Sequence, residues 1–295
     1  MPEISYAARL ATVTATRGRL CVGIDPHPAI LESWGLPRTV AGLEACARGM
    51  VEALGGTVAV FKPQSALFEE YGAAGIAVLE QVLADVRAAG ALSILDVKRG
   101  DIGSTMAGYA RAYLVEGAPL AADAITLSPY LGYGSLRPAL DLAIEHGRGV
   151  YVLARTSNPE GDHVQLATGP DGRPVAQQIV DEAAGTNRQV LDSTAGGSSV
   201  TGSSVAGTNG PGAMGPVGLV VGATRLDTGI DLDAFNGSIL APGIGAQGGK
   251  VADLPRIFGA SLGNVLPTTS RGVMGAGPDA DALRRAAREQ VISMV

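Results

Sequence analysis

Leu95-Asp96-Val97-Lys98-Arg99-Gly100-Asp101 places two carboxylates and an ammonium within six residues, directly after an apolar run. The approach, Ala91-Leu92-Ser93-Ile94-Leu95, reads as a short buried strand. Side chains alternate faces along a strand, so Asp96 and Lys98 share a face at its C-terminal end. Gly100 breaks the strand, and Asp101 follows where a helix can begin. Charges beside an apolar run are costly unless they pair with each other or with a substrate. A salt bridge capping the strand accounts for this segment alone as well as a catalytic array does. Its neighbours decide between the two.

On either side of this strand the apolar pattern repeats. Strands are predicted at 19–25, 57–62, 91–95, 123–128, 149–155, 217–222, 238–241 and 264–269. Helices are predicted over 3–17, 39–54, through Ile76 to Val86, and over 104–116, 136–144, 175–191, 254–258 and 279–294, with a short one around Leu232. Pro26-His27-Pro28 reads as a loop that forbids helix. Eight strands alternating with helices predict an α/β fold, a (β/α)₈ TIM barrel, as a single domain over 1–295. A doubly wound open sheet is the alternative. It would gain from a Gly-x-Gly-x-x-Gly turn after the first strand, which ends in Asp25-Pro26 instead. Residues 195–215 are Gly/Ser-rich and read as a flexible loop. Joining a helix to a strand, they should lie opposite the strand C-termini.

The chain has 295 residues, 46% hydrophobic and 17% charged, with 42 glycines and 4% aromatics, which suits layered α/β packing. Net charge is -6 without a basic block, so nucleic acid is not an expected partner. The two cysteines, Cys21 and Cys46, lack metal-ligand spacing and read as small buried hydrophobes. No basic, then apolar leader opens the chain, and no run reaches the roughly 18 apolar residues of a membrane span. A reduced, soluble, cytoplasmic protein is expected.

In a barrel, the strand C-termini form the active face. Reading only those ends collects Asp25, Lys62, Asp96, Lys98, Ser128, Arg155, Gln247 and Arg271, while strand interiors are Val, Ile, Leu and Ala. That recurrence favours a functional array over scattered salt bridges. Pro242-Gly243-Ile244-Gly245-Ala246-Gln247-Gly248-Gly249 follows the seventh strand and Ser270-Arg271-Gly272 the eighth, the usual phosphate position of this architecture. Glycines let backbone N–H groups turn toward an anion, and Arg271 supplies a charged fork. Ordinary tight turns account for the glycines alone. His27, His146 and His163 are scattered, and each central Asp has a Lys nearby that competes with a cation, so no metal site is expected.

Asp96-Val97-Lys98-Arg99-Gly100-Asp101-Ile102 resembles the Asp-x-Lys-x-x-Asp-Ile signature of orotidine 5′-phosphate decarboxylases. Phe61-Lys62-Pro63-Gln64 resembles the second-strand segment of their bacterial type 2 branch, and 242–249 with 270–272 their phosphate loop and arginine. Thr126-Leu127-Ser128-Pro129-Tyr130 looks like their base-recognition strand. The likeness runs from Asp25 to Arg271. It implies decarboxylation of orotidine 5′-phosphate to uridine 5′-phosphate, the last step of de novo UMP synthesis, without a cofactor. Lys62, Asp96, Lys98 and Asp101 would form an alternating charged tetrad in a homodimer, with Asp101 and Thr105 entering the neighbour's site. Asp25 and Lys62 would hold the ribose, Ser128 the pyrimidine edge, and Pro242 the base pocket. Gln247 would link phosphate and base, while Arg271, with Gly245 and Gly272 beside it, would hold the phosphate. The long 156–173 segment on the active face has no assigned role.

Loss of CO₂ from orotate C6 leaves an in-plane anion with no adjacent carbonyl, so preorganised charge must stabilise it. Lys98 suits both that task and the return of a proton to C6. Three rivals stay open: a divalent-metal sugar-phosphate enzyme, a Schiff-base aldolase using Lys62 or Lys98, and a nucleotide-binding barrel without catalysis. The first would want an acid where Lys62 stands.

Overall fold

Side-chain alternation along the strands divides the apolar residues of this chain between two cores. The computed structural model describes residues 4–196, 213–245 and 248–292. Within them, eight parallel strands pair in sequence order: β1 (Cys21–Ile24), β2 (Val60–Pro63), β3 (Leu92–Arg99), β4 (Ala124–Leu127), β5 (Gly149–Arg155), β6 (Val217–Val221), β7 (Ile239–Ala241) and β8 (Val265–Thr269). β8 pairs back onto β1, Cys21 with Thr268 and Val22 with Thr269, which closes a (β/α)₈ barrel with no free sheet edge.

Residues of one parity, among them Val60, Ile94, Tyr151, Val220, Leu240 and Leu266, fill the barrel. Tyr6, Leu10 and Val13 of the helix Tyr6–Arg17 pack onto this inner core. Gly149 is required there, because a Cβ on it would lie 2.4 Å from the Tyr6 ring. The other parity, including Val22, Phe61, Leu95, Ile125, Val152 and Leu219, packs outward against the helices. The inner parity, continued toward the strand C-termini, changes from apolar to charged: Ile94 is followed by Asp96, and Val60 by Lys62. That change of chemistry along one face places the site.

Two local expectations fail. Pro28 opens a helix, Pro28–Ser33, rather than prolonging a loop, since its fixed φ and missing N–H suit a first helical position. No helix forms around Leu232, although that side chain is buried. Asp227 and Asp231 each accept the backbone N–H two residues on, at 2.8 Å, and these turns outcompete helix there. The helix expected at 175–191 continues further, as Val175–Gly196. Most of the Gly/Ser-rich 195–215 stretch lies outside the described residues; the elements flanking it are the C-terminus of that helix and the start of β6. Cys21 and Cys46 are free and buried, as expected, and burial pushes both thiols up to about 12. No helix among the described residues is long and apolar enough to cross a membrane.

Candidate active site

Asp96 sits at the centre of the barrel mouth with four hydrogen-bond donors around its carboxylate. Oδ2 accepts from Lys62 Nζ at 2.8 Å and from Gln64 Nε2 at 3.0 Å. Oδ1 accepts from Lys98 Nζ at 2.5 Å and from Thr126 Oγ1 at 2.8 Å. The residue is only 7% exposed, so an unpaired charge here would be strongly disfavoured. Burial opposes ionisation of Asp96, but the Lys62 and Lys98 ammoniums overcome it and hold the carboxyl well below its ordinary range. Burial likewise depresses Lys62, and the Asp96 and Asp25 carboxylates reverse this, leaving the ammonium above its ordinary value. Asp25 Oδ1 lies 4.0 Å from Lys62 Nζ. Lys62 and Asp96 are therefore charged together at neutral pH.

Lys98 reaches Asp96 by more than strand alternation. It is the one non-glycine with positive φ among the described residues, at 45°, a left-handed conformation that costs about 1–2 kcal/mol. The β3–β4 register shifts between Leu95 and Arg99 at the same place. Gly100 follows because the chains nearly touch: a Cβ there would stand 2.3 Å from the Ser128 carbonyl oxygen. Ser128 N–H donates to the Arg99 carbonyl at 2.8 Å, which ties the ends of β3 and β4 together. The Lys98 side chain remains 46% exposed and faces the cavity.

A cavity of about 830 Å³ opens above Asp96. The sequence-predicted residues Asp25, Lys62, Asp96, Lys98, Ser128, Pro242 and Arg271 all line it. Asp25 Oδ1 is buried there without a hydrogen-bond partner among the described residues. Gly245, at φ 79°, closes a tight loop with its N–H on the Gly249 carbonyl at 2.9 Å; it does not line the cavity, and neither does Gly272, the neighbour of Arg271. Gln247 lies outside the described residues. Asp101 and Thr105 stand outside their own chain's cavity. Asp101 Oδ1 accepts the Ile102 N–H at 2.8 Å, while Ile102, 62% exposed, holds the N-cap position of the helix Gly103–Leu114. Asp101 is thus one residue too early to cap that helix.

Sequence reasoning missed Gln64 and Thr126 as ligands of Asp96, although both lie in the segments it singled out. A strand-end Gln and a strand Thr become partners of Asp96 only when β2, β3 and β4 lie side by side. Arg155, collected as a strand-end charge, does not join the array. It is buried, donating to the Thr228 carbonyl and Gln165 Oε1 and pairing with Asp162 at 2.8 Å. Asp162 also pairs with Arg225, so two arginines fasten the segment after β5 to the one after β6. The 156–173 segment carries a short helix, Asp162–Gln165, and its residues Thr156, Asn158, Glu160 and Gln165 form one wall of the cavity. No group of three or more metal-ligating side chains occurs among the described residues.

Comparison with known proteins agrees with this geometry. The family model described as orotidine 5′-phosphate decarboxylase / HUMPS family matches residues 18–286. A Salinispora tropica protein named orotidine 5′-phosphate decarboxylase is 55% identical over 96% of this chain and 94% of its own. One of the same name from Streptomyces coelicolor is 53% identical over the same shares. The crystal structure of a Streptomyces avermitilis protein superposes with a TM-score of 0.88 at 52% identity, covering 100% of this chain and 96% of that one. With matches of that length and identity, the chain belongs to the orotidine 5′-phosphate decarboxylase / HUMPS family, on its decarboxylase side.

Proposed function

We propose that this protein converts orotidine 5′-phosphate to uridine 5′-phosphate and CO₂, the last step of UMP synthesis, in the cytoplasm and without a cofactor. The observation that carries the reading is the buried Asp96 carboxylate ion-paired to both Lys62 and Lys98 at the floor of a cavity that Arg271 also lines. Two ammoniums occupy the oxygens that a divalent cation would need, which weighs against metal chemistry at Asp96 and against the metal-dependent rival. Against the Schiff-base rival weighs Lys62, which the Asp96 and Asp25 carboxylates hold as an ammonium rather than a neutral amine, and the engagement of Lys98 Nζ by Asp96 Oδ1.

In this reading, Arg271 binds the phosphate, Asp25 accepts from the ribose, and Ser128 reads the pyrimidine edge. Gly245 and Gly272 shape the loops beside the phosphate end from outside the cavity wall, and Pro242 packs against the base. The C6–carboxyl bond breaks, CO₂ leaves, and the electron pair stays on C6. The Lys98 ammonium faces that charge and then gives C6 its proton, regaining one from solvent through its exposed side. Asp96 and Lys62 hold Lys98 in place through the transfer. The protein works as a homodimer in which the neighbour supplies Asp101 and Thr105, since neither lines its own chain's cavity.

The test compares orotidine 5′-phosphate with its nucleoside in the wild type and in Arg271→Ala. The wild type should release CO₂ and uridine 5′-phosphate one to one and turn the nucleoside over poorly. Remote phosphate binding energy is used at the reacting carbon, so Arg271→Ala should lose about 10²-fold in kcat/KM on the nucleotide and little more on the nucleoside. A wild type that forms no uridine 5′-phosphate contradicts the function. Equal losses on both substrates remove Arg271 from the phosphate.

A further inference from the structure

Thr126 is 1% exposed, and its hydroxyl is fully committed. It accepts the backbone N–H of Lys98 at 3.0 Å and donates to Asp96 Oδ1 at 2.8 Å. That oxygen is the one holding Lys98 Nζ. One hydroxyl therefore joins both ends of the Lys98 residue, its backbone and its ammonium, through a single carboxylate oxygen. The backbone it holds is the left-handed one at φ 45°, where the β3–β4 ladder slips out of register and regular strand pairing cannot take that N–H. Nothing about a left-handed lysine is favourable by itself, so the surroundings must fix it.

We infer that Thr126 is a positioning residue for decarboxylation, acting through Lys98: its hydroxyl locks the strained Lys98 backbone and the Asp96 carboxylate into one unit and so aims the ammonium at the reacting carbon. This inference rests on the decarboxylase reading above. The hydroxyl has one proton, and it is spent on Asp96, so Thr126 adds stiffness to the array rather than a proton to the reaction. Valine in its place keeps the shape but frees the Lys98 N–H and removes one Asp96 donor. The ammonium can then still pair with Asp96, but from a backbone no longer held to one conformation. Misplacement on the order of 1 Å costs a reaction about 10²-fold.

The experiment measures kcat and KM for orotidine 5′-phosphate, and calorimetric affinity for uridine 5′-phosphate, in the wild type, Thr126→Val and Thr126→Ser. Thr126→Val should fall about 10²-fold in kcat, with KM and product affinity within about threefold of wild type. Thr126→Ser, which restores the hydroxyl, should recover kcat to within about fivefold. Should the valine protein fail to fold, Thr126→Ala against Thr126→Ser carries the same comparison. Three results overturn the inference: full kcat without the hydroxyl, a serine variant as slow as the valine one, or a loss that falls on KM and product affinity instead of kcat. A wild type inactive on orotidine 5′-phosphate points to failure of the decarboxylase reading itself; an active wild type with an equally active Thr126→Val rejects the positioning role alone.

Discussion

Lys98→Ala is expected to lower orotidine 5′-phosphate turnover by at least about 10⁴-fold, since on the proposed mechanism it removes both a preorganised charge and the proton donor. Lys98 is the part of the array that touches the cavity most openly: 46% of its side chain is exposed, against 8% for Lys62 and Asp96. Product affinity should change far less, because Arg271 and Asp25, the proposed phosphate and ribose contacts, are other residues of the cavity lining. The fold should survive. Asp96 keeps Lys62, Gln64 and Thr126 as donors when Lys98 is gone. The loss should therefore appear in kcat, measured against circular dichroism and uridine 5′-phosphate affinity as controls. A variant keeping turnover within tenfold of wild type takes Lys98 out of the chemistry.

Lys98→Ala and Asp101→Ala, each nearly inactive alone, are expected to recover activity when unfolded together and refolded as a mixture. A two-fold dimer makes each chain give and receive the same residue. Random pairing makes about half the dimers mixed, and in each of these one site collects both defects while the other collects none. About a quarter of all sites are then native, and activity should return to about that fraction. The structural ground is that Asp101 turns its carboxylate to the Ile102 N–H, outside its own cavity, beside an Ile102 side chain that is 62% exposed. Mixtures as inactive as the single variants, under a protocol that refolds wild type, would place Asp101 within its own subunit.

Much of this was legible in the sequence because it is local. Period-two alternation set Ile94 and Asp96 on one face and Leu95 on the other, and it is that face that turns inward in the closed barrel. Strand-end charges could be gathered without coordinates, since parallel strands in a barrel bring their C-termini to one side. What stayed hidden depends on neighbours far apart in sequence. Thr126 and Gln64 meet Asp96 across 30 and 32 residues. Arg155 looked like a member of the array by position, and only its contacts to Thr228 and Asp162 show it fastening loops instead. The left-handed backbone of Lys98 carries no mark in the sequence except the glycine after it. Around Leu232 a short helix was expected between strands, and Asp side chains taking local N–H groups prevented it.

Decarboxylation at this site should draw on the protein's own charged side chains and on no metal ion or cofactor. The most direct test is the fall in orotidine 5′-phosphate absorbance with purified protein dialysed against a strong chelator, assayed with and without added Mg²⁺. Uridine 5′-phosphate should form at the same rate in both. Turnover abolished by the chelator and restored by Mg²⁺ would contradict it.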